Sequence, residues 1–450
     1  MADSATTPTT DWSAPQAPYS VDAVVTVPGS KSETNRALVL AALSDGPSTI
    51  TGGLVARDSE LMISALRSLG AKIDTDAGTP DEPAWRITPP ARLSGGVTID
   101  CGLAGTVMRF VAALAALTAD PVKLTGDPHA SQRPMQGLLD GLGQLGATVE
   151  GDALPCTITG PVRASDEPVV IDSSASSQFV SALLLIGPHL PDGIEIRHEG
   201  GTLPSRPHIL MTVQMLNDHG VRVDVDGDRW VVHPGPIAAL DVHVEPDLSN
   251  AAPFLAAAAV TMGTVTIPHW PMQTLQPGDQ LRHIFDQFGC ETALDDSGFT
   301  VTGVTELDGI EVDLSDASEL TPVVAAVAAL AQNTSHIHGV GHIRGHETDR
   351  IAALDTELTG LGAKVDQLDD GLSVHPAMLH GNTFGTYADH RMAHAGAVLG
   401  LVVHDVVLDD IGCTSKTMPE FPALWAKMIS DTVAAVEAAA DGEDGDAIRS

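Results

Sequence analysis

Residues 27–43 read VPGSKSETNRALVLAAL. Pro28 and Gly29 end an extended run (Val24, Val25, Val27), Ser30 to Ser32 can cap a helix, and Asn35 to Leu43 read as apolar helix rich in alanine and leucine. The loop therefore hands over directly to a helix N-terminus. Unpaired backbone N–H groups and the positive dipole end there stabilise an anion. Lys31 adds a full charge at the loop, and Arg36 a bidentate fork one turn further on. Taken alone, the stretch reads as a capped helix carrying two solvated cations. Its recurrence turns the reading toward a phosphate or carboxylate site.

A comparable unit returns about every seventy residues. The openings are PGSKSETNRALVLAAL from Pro28, CGLAGTVMRFVAALAAL from Cys101, DSSASSQFVSALLLI from Asp172, EPDLSNAAPFLAAAAV from Glu245, DLSDASELTPVVAAVAAL from Asp313 and TYADHRMAHAGAVLGLV from Thr386. Each is followed by a β-rich step such as VKLTG (Val122 to Gly126), then by a second, amphipathic helix. Most of these second helices end in Gly and run into an alternating strand. The first helix of each unit is apolar nearly all round, which predicts burial inside a domain. Six units of two helices and several strands predict an α/β (α+β) architecture, as a ring or as two groups of three. Residues 1–20 read as a disordered lead-in, and 437–450 as an acidic, frayed tail.

With 450 residues the chain is long enough for two domains, and 43% hydrophobic with 18% charged residues suits a soluble globular protein. No apolar run approaches the roughly 20 residues of a membrane span, and the N-terminus lacks the basic start and apolar core of a secretory signal. Lys and Arg number 23 against 59 Asp and Glu, a formal charge of −36 that repels nucleic acid and anionic membranes. Cys101, Cys156, Cys290 and Cys413 are too widely separated for a zinc site or a disulfide framework, so a cytoplasmic protein with reduced thiols is expected.

In so acidic a chain the placement of the few cations is informative. Lys31, Arg36, Arg109, Arg133, Arg344, Arg350, Arg391 and Lys416 all lie in or beside the loop-to-helix junctions. Several helix starts with several cations predict a cleft for a compact, multiply charged anion. Ser32, Thr106, Ser176, Ser177, Gln178 and Ser205 are neutral donors at matching positions, and Glu319 and Glu347 are carboxylates suited to carry protons. His336, His338, His342 and His346 cluster, and His390 and His394 lie one helical turn apart, but no carboxylate or cysteine spacing completes a metal site. Neither a G-x-S-x-G elbow nor a Walker or Rossmann glycine motif is present.

PGSKSETNRALVLAAL, GLAGTVMRF, SASSQFVSALLL, RGHETDR, ADHRMAHA and CTSKTMPEFP together resemble the EPSP synthases of the enolpyruvyl transferase family, from about Val21 to about Lys427. The resemblance implies two similar domains, each of three βαβαββ units arranged as an inside-out α/β barrel. One would span 28–244, the other 21–27 plus 245–436. It implies transfer of the enolpyruvyl group of phosphoenolpyruvate to the 5-hydroxyl of shikimate 3-phosphate by a monomer, with no metal or organic cofactor. By resemblance, Lys31, Ser32, Arg36, Ser176, Ser177, Gln178 and Ser205 hold shikimate 3-phosphate, while Lys31, Gly105, Arg133, Gln178, Arg350, Arg391 and Lys416 hold phosphoenolpyruvate. Thr106, Arg109, His342 and His346 would line the same cleft. Glu319 would take the hydroxyl proton, Glu347 would exchange the proton at C3, and Lys31 would stabilise the bridging oxygens. Gly105 between Ala104 and Thr106 looks like the form sensitive to glyphosate.

The chain departs from the family pattern at four places. Many members have lysine at His346, aspartate at Glu319, asparagine at Leu103 and tyrosine at His208. His346 matters most, because imidazole need not carry the charge of lysine; substrate anions are expected to raise its pKa and alkaline pH to weaken the enzyme. The alternatives are the sister enzyme acting on UDP-N-acetylglucosamine, whose reactive loop cysteine is missing from DPHASQRP around Arg133, and a non-catalytic anion-binding protein of the same fold.

Overall fold

The computed structural model describes residues 11–79, 83–163 and 167–447. Among them the strands form six sheets, five four-stranded and one three-stranded. The second unit shows the shared plan. Strand Val97–Asp100 leads into the buried helix Gly105–Ala115, and the parallel strand Val122–Thr125 follows. The amphipathic helix Gln136–Gln144 then covers the sheet, and a hairpin of Thr148–Glu150 and Cys156–Thr159 returns antiparallel to the middle strand. Alternation explains the pairing: Val122, Leu124, Cys156 and Ile158 point inward while their neighbours face out.

Two hydrophobic cores divide the chain into two domains. One gathers apolar residues from Ala37 to Val244. The other takes Val21, Val25 and Val27 together with residues from Leu248 to Met428. Each domain completes a sheet with a strand from a distant part of the chain. The first unit's sheet borrows Val242–His243 beside Ser48–Thr51, and the fourth borrows Asp22–Val24 beside Thr264–Ile267. Where the two crossing segments pass, Ser30 N–H donates to the Glu245 carbonyl (2.8 Å) and Asp247 N–H to the Pro28 carbonyl (2.8 Å). Gly29 is required here, since a Cβ would lie 1.9 Å from the Gly52 carbonyl oxygen. The helix that opens with Lys31 therefore starts at the seam between the domains.

Two expectations at the chain ends need correction. Residues 1–10 lie outside the described residues, but the rest of the supposed lead-in is ordered: Trp12–Ser13 pairs antiparallel with Val407–Leu408, and Ala14 N–H donates to the Val406 carbonyl (3.0 Å). The cause is topological. Among the described residues the sixth unit has no hairpin after its second helix, and the strand Trp12–Ser13 takes the free edge of its middle strand. Ladder bonds come from the backbone, so polar composition does not forbid them. At the other end the backbone stays helical from Phe421 to Ala447 rather than fraying after Val436. No helix among the described residues is long and apolar enough to cross a membrane.

Candidate active site

Lys31, Ser32, Arg36, Gly105, Thr106, Arg109, Arg133, Ser176, Ser177, Gln178, Ser205, Glu319, His342, His346, Glu347, Arg350, Arg391 and Lys416 all line one cavity between the two domains. Arg344 is the exception among the junction cations. It turns away to Asp349 (3.1 Å) and to the Leu368 carbonyl (2.9 Å).

The first domain's wall is built from helix N-termini with no acidic N-cap residue of its own. Helix Gly105–Ala115 follows Ala104, which has no capping side chain. Helix Gln178–Ile186 follows Ser177, whose hydroxyl makes no cap bond, though Ser176 Oγ accepts from Gln178 N–H at 3.3 Å. Helix Lys31–Leu43 has the long bond from Glu33 N–H to Ser30 Oγ (3.4 Å), and its Lys31 N–H donates to Asp247 of the other domain. Beyond these bonds, the first-turn N–H groups of the three helices are offered to a ligand.

Arg36 stands behind this wall, buried among neutral acceptors: Thr212 Oγ1 (2.7 Å), the Ser32 carbonyl (2.8 Å) and the His208 carbonyl (3.0 Å). Burial pushes the guanidinium down to about 9 while Glu33 pulls it back, which marks a cation short of a counter-ion. Arg109 donates to the Pro134 carbonyl (2.6 Å) and to the Gly105 carbonyl (3.3 Å), so it fixes the loop that carries Arg133. A Cβ at Gly105 would stand 3.1 Å from Arg109 Nη1, Arg133 Nη2 and Gln178 Oε1, so glycine is what lets these three ends converge. Arg133 Nε and Gln178 Oε1 are buried without a hydrogen-bond partner, as expected of groups waiting for a ligand.

The second domain's wall is built from ion pairs. Asp389 caps helix His390–Gly400 through Arg391 N–H (2.9 Å) and also takes the Arg350 Nε (2.7 Å) and Nη2 (3.1 Å) bonds. Asp247 caps helix Leu248–Thr261 and accepts the Lys31 N–H at 3.1 Å from the other domain. Arg391 reaches the Ser249 carbonyl (2.6 Å), and the Ser249 hydroxyl donates to Glu319 Oε1 (3.0 Å).

Glu347 is paired with Lys416, with Arg350 at 3.1 Å and, across the cleft, with Arg133 at 3.8 Å. Burial opposes its charge, but Lys416, Arg133 and Arg350 outweigh burial and hold it well below the usual carboxylate range. Glu347 is thus an anion seated among cations.

His346 is buried against Arg350, and both effects press its pKa well below that of a free imidazole. Its Nδ1 lies 3.3 Å from Arg350 Nη1 and must accept, which a protonated ring cannot do. Among these protein neighbours His346 is therefore neutral, and the charge of a lysine there would have to come from substrate anions raising its pKa. His208 is likewise neutral, pushed down to about 4 by burial against the pull of Glu319.

Asp247, Ser249, His390 and Gln276 also line the cavity, and the sequence motifs leave most of them unmarked as site residues. Asp247 carries a signal as the aspartate before an apolar helix in EPDLSNAAP, and His390 as one of the two histidines in ADHRMAHA. The arrangement as a whole can bind two anionic groups side by side and offers two carboxylates of different surroundings for proton transfer.

The chain is similar to known proteins over most of its length. A family model described as EPSP synthase (3-phosphoshikimate 1-carboxyvinyltransferase) matches residues 15–425. A 3-phosphoshikimate 1-carboxyvinyltransferase of Kocuria rhizophila is 52% identical over 419 residues, covering 91% of this chain and 94% of its own. Among solved structures, EPSP synthase from Acinetobacter baumannii has a TM-score of 0.76 at 22% identity, over 93% of this chain and 98% of its own. The enolpyruvyl transferase NikO from Streptomyces tendae has a TM-score of 0.69 at 18% identity, over 92% and 96%. The two structures speak to the fold, which they share almost end to end.

Proposed function

The chain belongs to the EPSP synthase family, and on that premise we propose how its own residues perform the family's reaction. It is a transferase of the shikimate pathway, which leads to the aromatic amino acids. The enolpyruvyl group of phosphoenolpyruvate passes to the 5-hydroxyl of shikimate 3-phosphate, and phosphate leaves. The observation that carries the assignment of roles is the convergence of cations, open helix starts and two carboxylates on one cavity.

In this reading shikimate 3-phosphate lies against the first domain, on Lys31, Ser32, Ser176, Ser177, Gln178 and Ser205, with Arg36 behind as counter-charge. Phosphoenolpyruvate lies between the walls, on Arg133, Arg350, Arg391 and Lys416, beside Gly105. Both halves of the cavity come from one chain, which supports a monomer as the working unit. The four cysteines are unpaired, in keeping with a cytoplasmic setting.

The chemistry is addition followed by elimination. The acceptor oxygen bonds to C2 of the enol as its proton passes to Glu319 and a second proton reaches C3. The tetrahedral ketal then expels phosphate as a proton returns from C3 to Glu347, which restores the double bond, with Lys31 near the bridging oxygens. Glu347 is the acid for C3, and its partners explain how it acquires that role. Lys416, Arg133 and Arg350 are also the cations that the substrate's phosphate and carboxylate require. A bound substrate draws them away and adds negative charge nearby, and both changes raise the proton affinity of Glu347.

The test is phosphate release from phosphoenolpyruvate by the purified protein, with shikimate 3-phosphate or UDP-N-acetylglucosamine as acceptor. Release only with the first is expected. Glu319→Gln and Glu347→Gln should each lower kcat by about 10² to 10⁴ with both substrates still bound. Near-normal turnover in either variant would remove that carboxylate from the mechanism.

A further inference from the structure

Helix Arg206–Asp218 begins in an unusual way. Its N-cap residue Ser205 has φ 50 and ψ 45, a left-handed conformation that is costly for a side chain with a Cβ, and its hydroxyl makes no cap bond. Such a conformation persists only where the surroundings impose it. Here they belong to the other domain. Ser205 N–H donates to the Ser315 carbonyl at 2.9 Å, and Arg206 N–H donates to Asp316 Oδ1 at 3.2 Å. The cap of a first-domain helix is thus supplied by a second-domain carboxylate. Two consequences meet at this point. The Ser205 hydroxyl, relieved of capping, lines the cavity. The loop that provides Asp316 runs directly into the turn Ser318–Leu320, which carries Glu319.

We infer that Asp316 is a positioning residue that sets Ser205 and Glu319 in register across the cleft, so that the acceptor hydroxyl meets its base when the domains are together. The inference rests on the reading of Ser205 as an acceptor ligand and Glu319 as the base. Local bonds hold the loop in shape on both sides of Asp316. Asp313 Oδ1 accepts the Ser315 N–H (2.8 Å), and Ser318 Oγ is tied to His342 Nε2 (2.8 Å). The Arg206 side chain is occupied elsewhere, by Asp228, so only its backbone engages Asp316. A carboxylate at a helix N-terminus also gains from the dipole. Because donor and acceptor belong to different domains, the bond forms only when the domains meet, and its free energy favours that arrangement rather than the helix alone.

The experiment compares Asp316→Ala and Asp316→Asn with the parent enzyme, measuring KM for each substrate, kcat, and binding of shikimate 3-phosphate alone by calorimetry. The alanine variant should lose about 5- to 30-fold in kcat/KM for shikimate 3-phosphate, the worth of one N-cap, with KM for phosphoenolpyruvate unchanged. Asparagine caps helices as well as aspartate does, so Asp316→Asn should recover most of the loss. An unchanged alanine variant, a loss shared equally by both substrates, or an asparagine variant as poor as alanine would overturn the inference. If Asp316→Ala does not fold, the asparagine variant decides: recovery of normal binding and rate supports the cap, and a loss there refutes it. Glu319→Gln separates the two readings. It removes the base but leaves Asp316 and Ser205 in place, so calorimetric binding of shikimate 3-phosphate survives it if only the base assignment is at fault.

Discussion

The two walls of the cavity handle negative charge in different ways. The first domain offers backbone N–H groups and hydroxyls at helix starts whose caps are Ala104, Ser177 and Ser30, with Arg36 buried behind them. The second domain places Asp247, Asp349 and Asp389 at three of its helix starts, helix Thr321–Ala328 following Leu320 without a side-chain cap, and binds through side-chain cations instead. The first wall has no anion of its own to displace. The second already holds one, because Glu347 occupies Lys416, Arg350 and Arg133. A neutral wall is ready before its ligand arrives, whereas a charged wall must exchange partners, and that exchange is what can switch the protonation of a catalytic carboxylate.

The largest effect that tests this contrast is on stability. Arg350 and Asp389 are both buried, with side chains 3% and 0% exposed. Asp389→Asn leaves the guanidinium with an incomplete counter-charge and should cost about 3–5 kcal/mol, read from the denaturant midpoint. The matched change in the first wall is Thr212→Val, which removes the neutral acceptor of Arg36 Nε (2.7 Å). That change should cost about 1–3 kcal/mol. Equal losses in the two variants would erase the distinction between a charged and a neutral wall.

A smaller effect separates binding from folding at the point where the walls meet. In Gly105→Ala the new Cβ crowds three side-chain ends at 3.1 Å, each able to give by a few tenths of an ångström. Displacing Arg133 and Gln178 should raise KM for phosphoenolpyruvate about tenfold, the low-to-middle range of an overpacking penalty. The melting temperature should hold or rise, since alanine favours a helix more than glycine does. A fall in melting temperature with unchanged KM would mean that Gly105 serves packing rather than the ligand.

How much of this was legible in the sequence follows from the range of each interaction. The helix starts were readable because a cap, a cation and an apolar run lie within one turn of each other, as in PGSKSETNRALVL. The contacts that set charge and direction were not. Lys31 N–H meets Asp247 across 216 positions, and Arg206 N–H meets Asp316 across 110. Arg344 and Arg350 belong to the same short RGHETDR segment, yet one points to Asp349 and the other into the cavity; local spacing does not record side-chain direction. His346 looked like a substitute cation until its neighbour Arg350 made it an acceptor. Trp12–Ser13 looked disordered because composition says nothing about an open strand edge on the sixth sheet.

The smallest effects lie in the pH dependence of stability near neutrality, where the two domains should show opposite signs. Glu33, at the first domain's helix start, is pushed up to about 8, first by burial and then by Glu245, against Arg36 and the Glu245 N–H bond. Folding therefore favours its protonated form: its contribution is complete below its ordinary value of about 4.5 and is lost as pH rises toward about 8. In the second domain His394 is fully buried with both ring nitrogens unpartnered, packed on Phe421 at 4.6 Å, and burial followed by Arg391 and Arg350 holds it neutral. The unfolded chain protonates this ring below about pH 6.5, so its presence lowers stability as pH falls. Glu33→Gln keeps an acceptor for the Glu245 N–H and should gain stability over the parent only on the alkaline side. His394→Leu removes an unsatisfied buried group, worth about 1 kcal/mol at neutral pH, and its advantage should grow on the acid side by at most about 1.4 kcal/mol per pH unit. Denaturant midpoints across this range decide the matter. Two variants whose curves run parallel to the parent would show that neither group titrates between folded and unfolded chains, and the electrostatic contrast between the domains would then stop at the cavity.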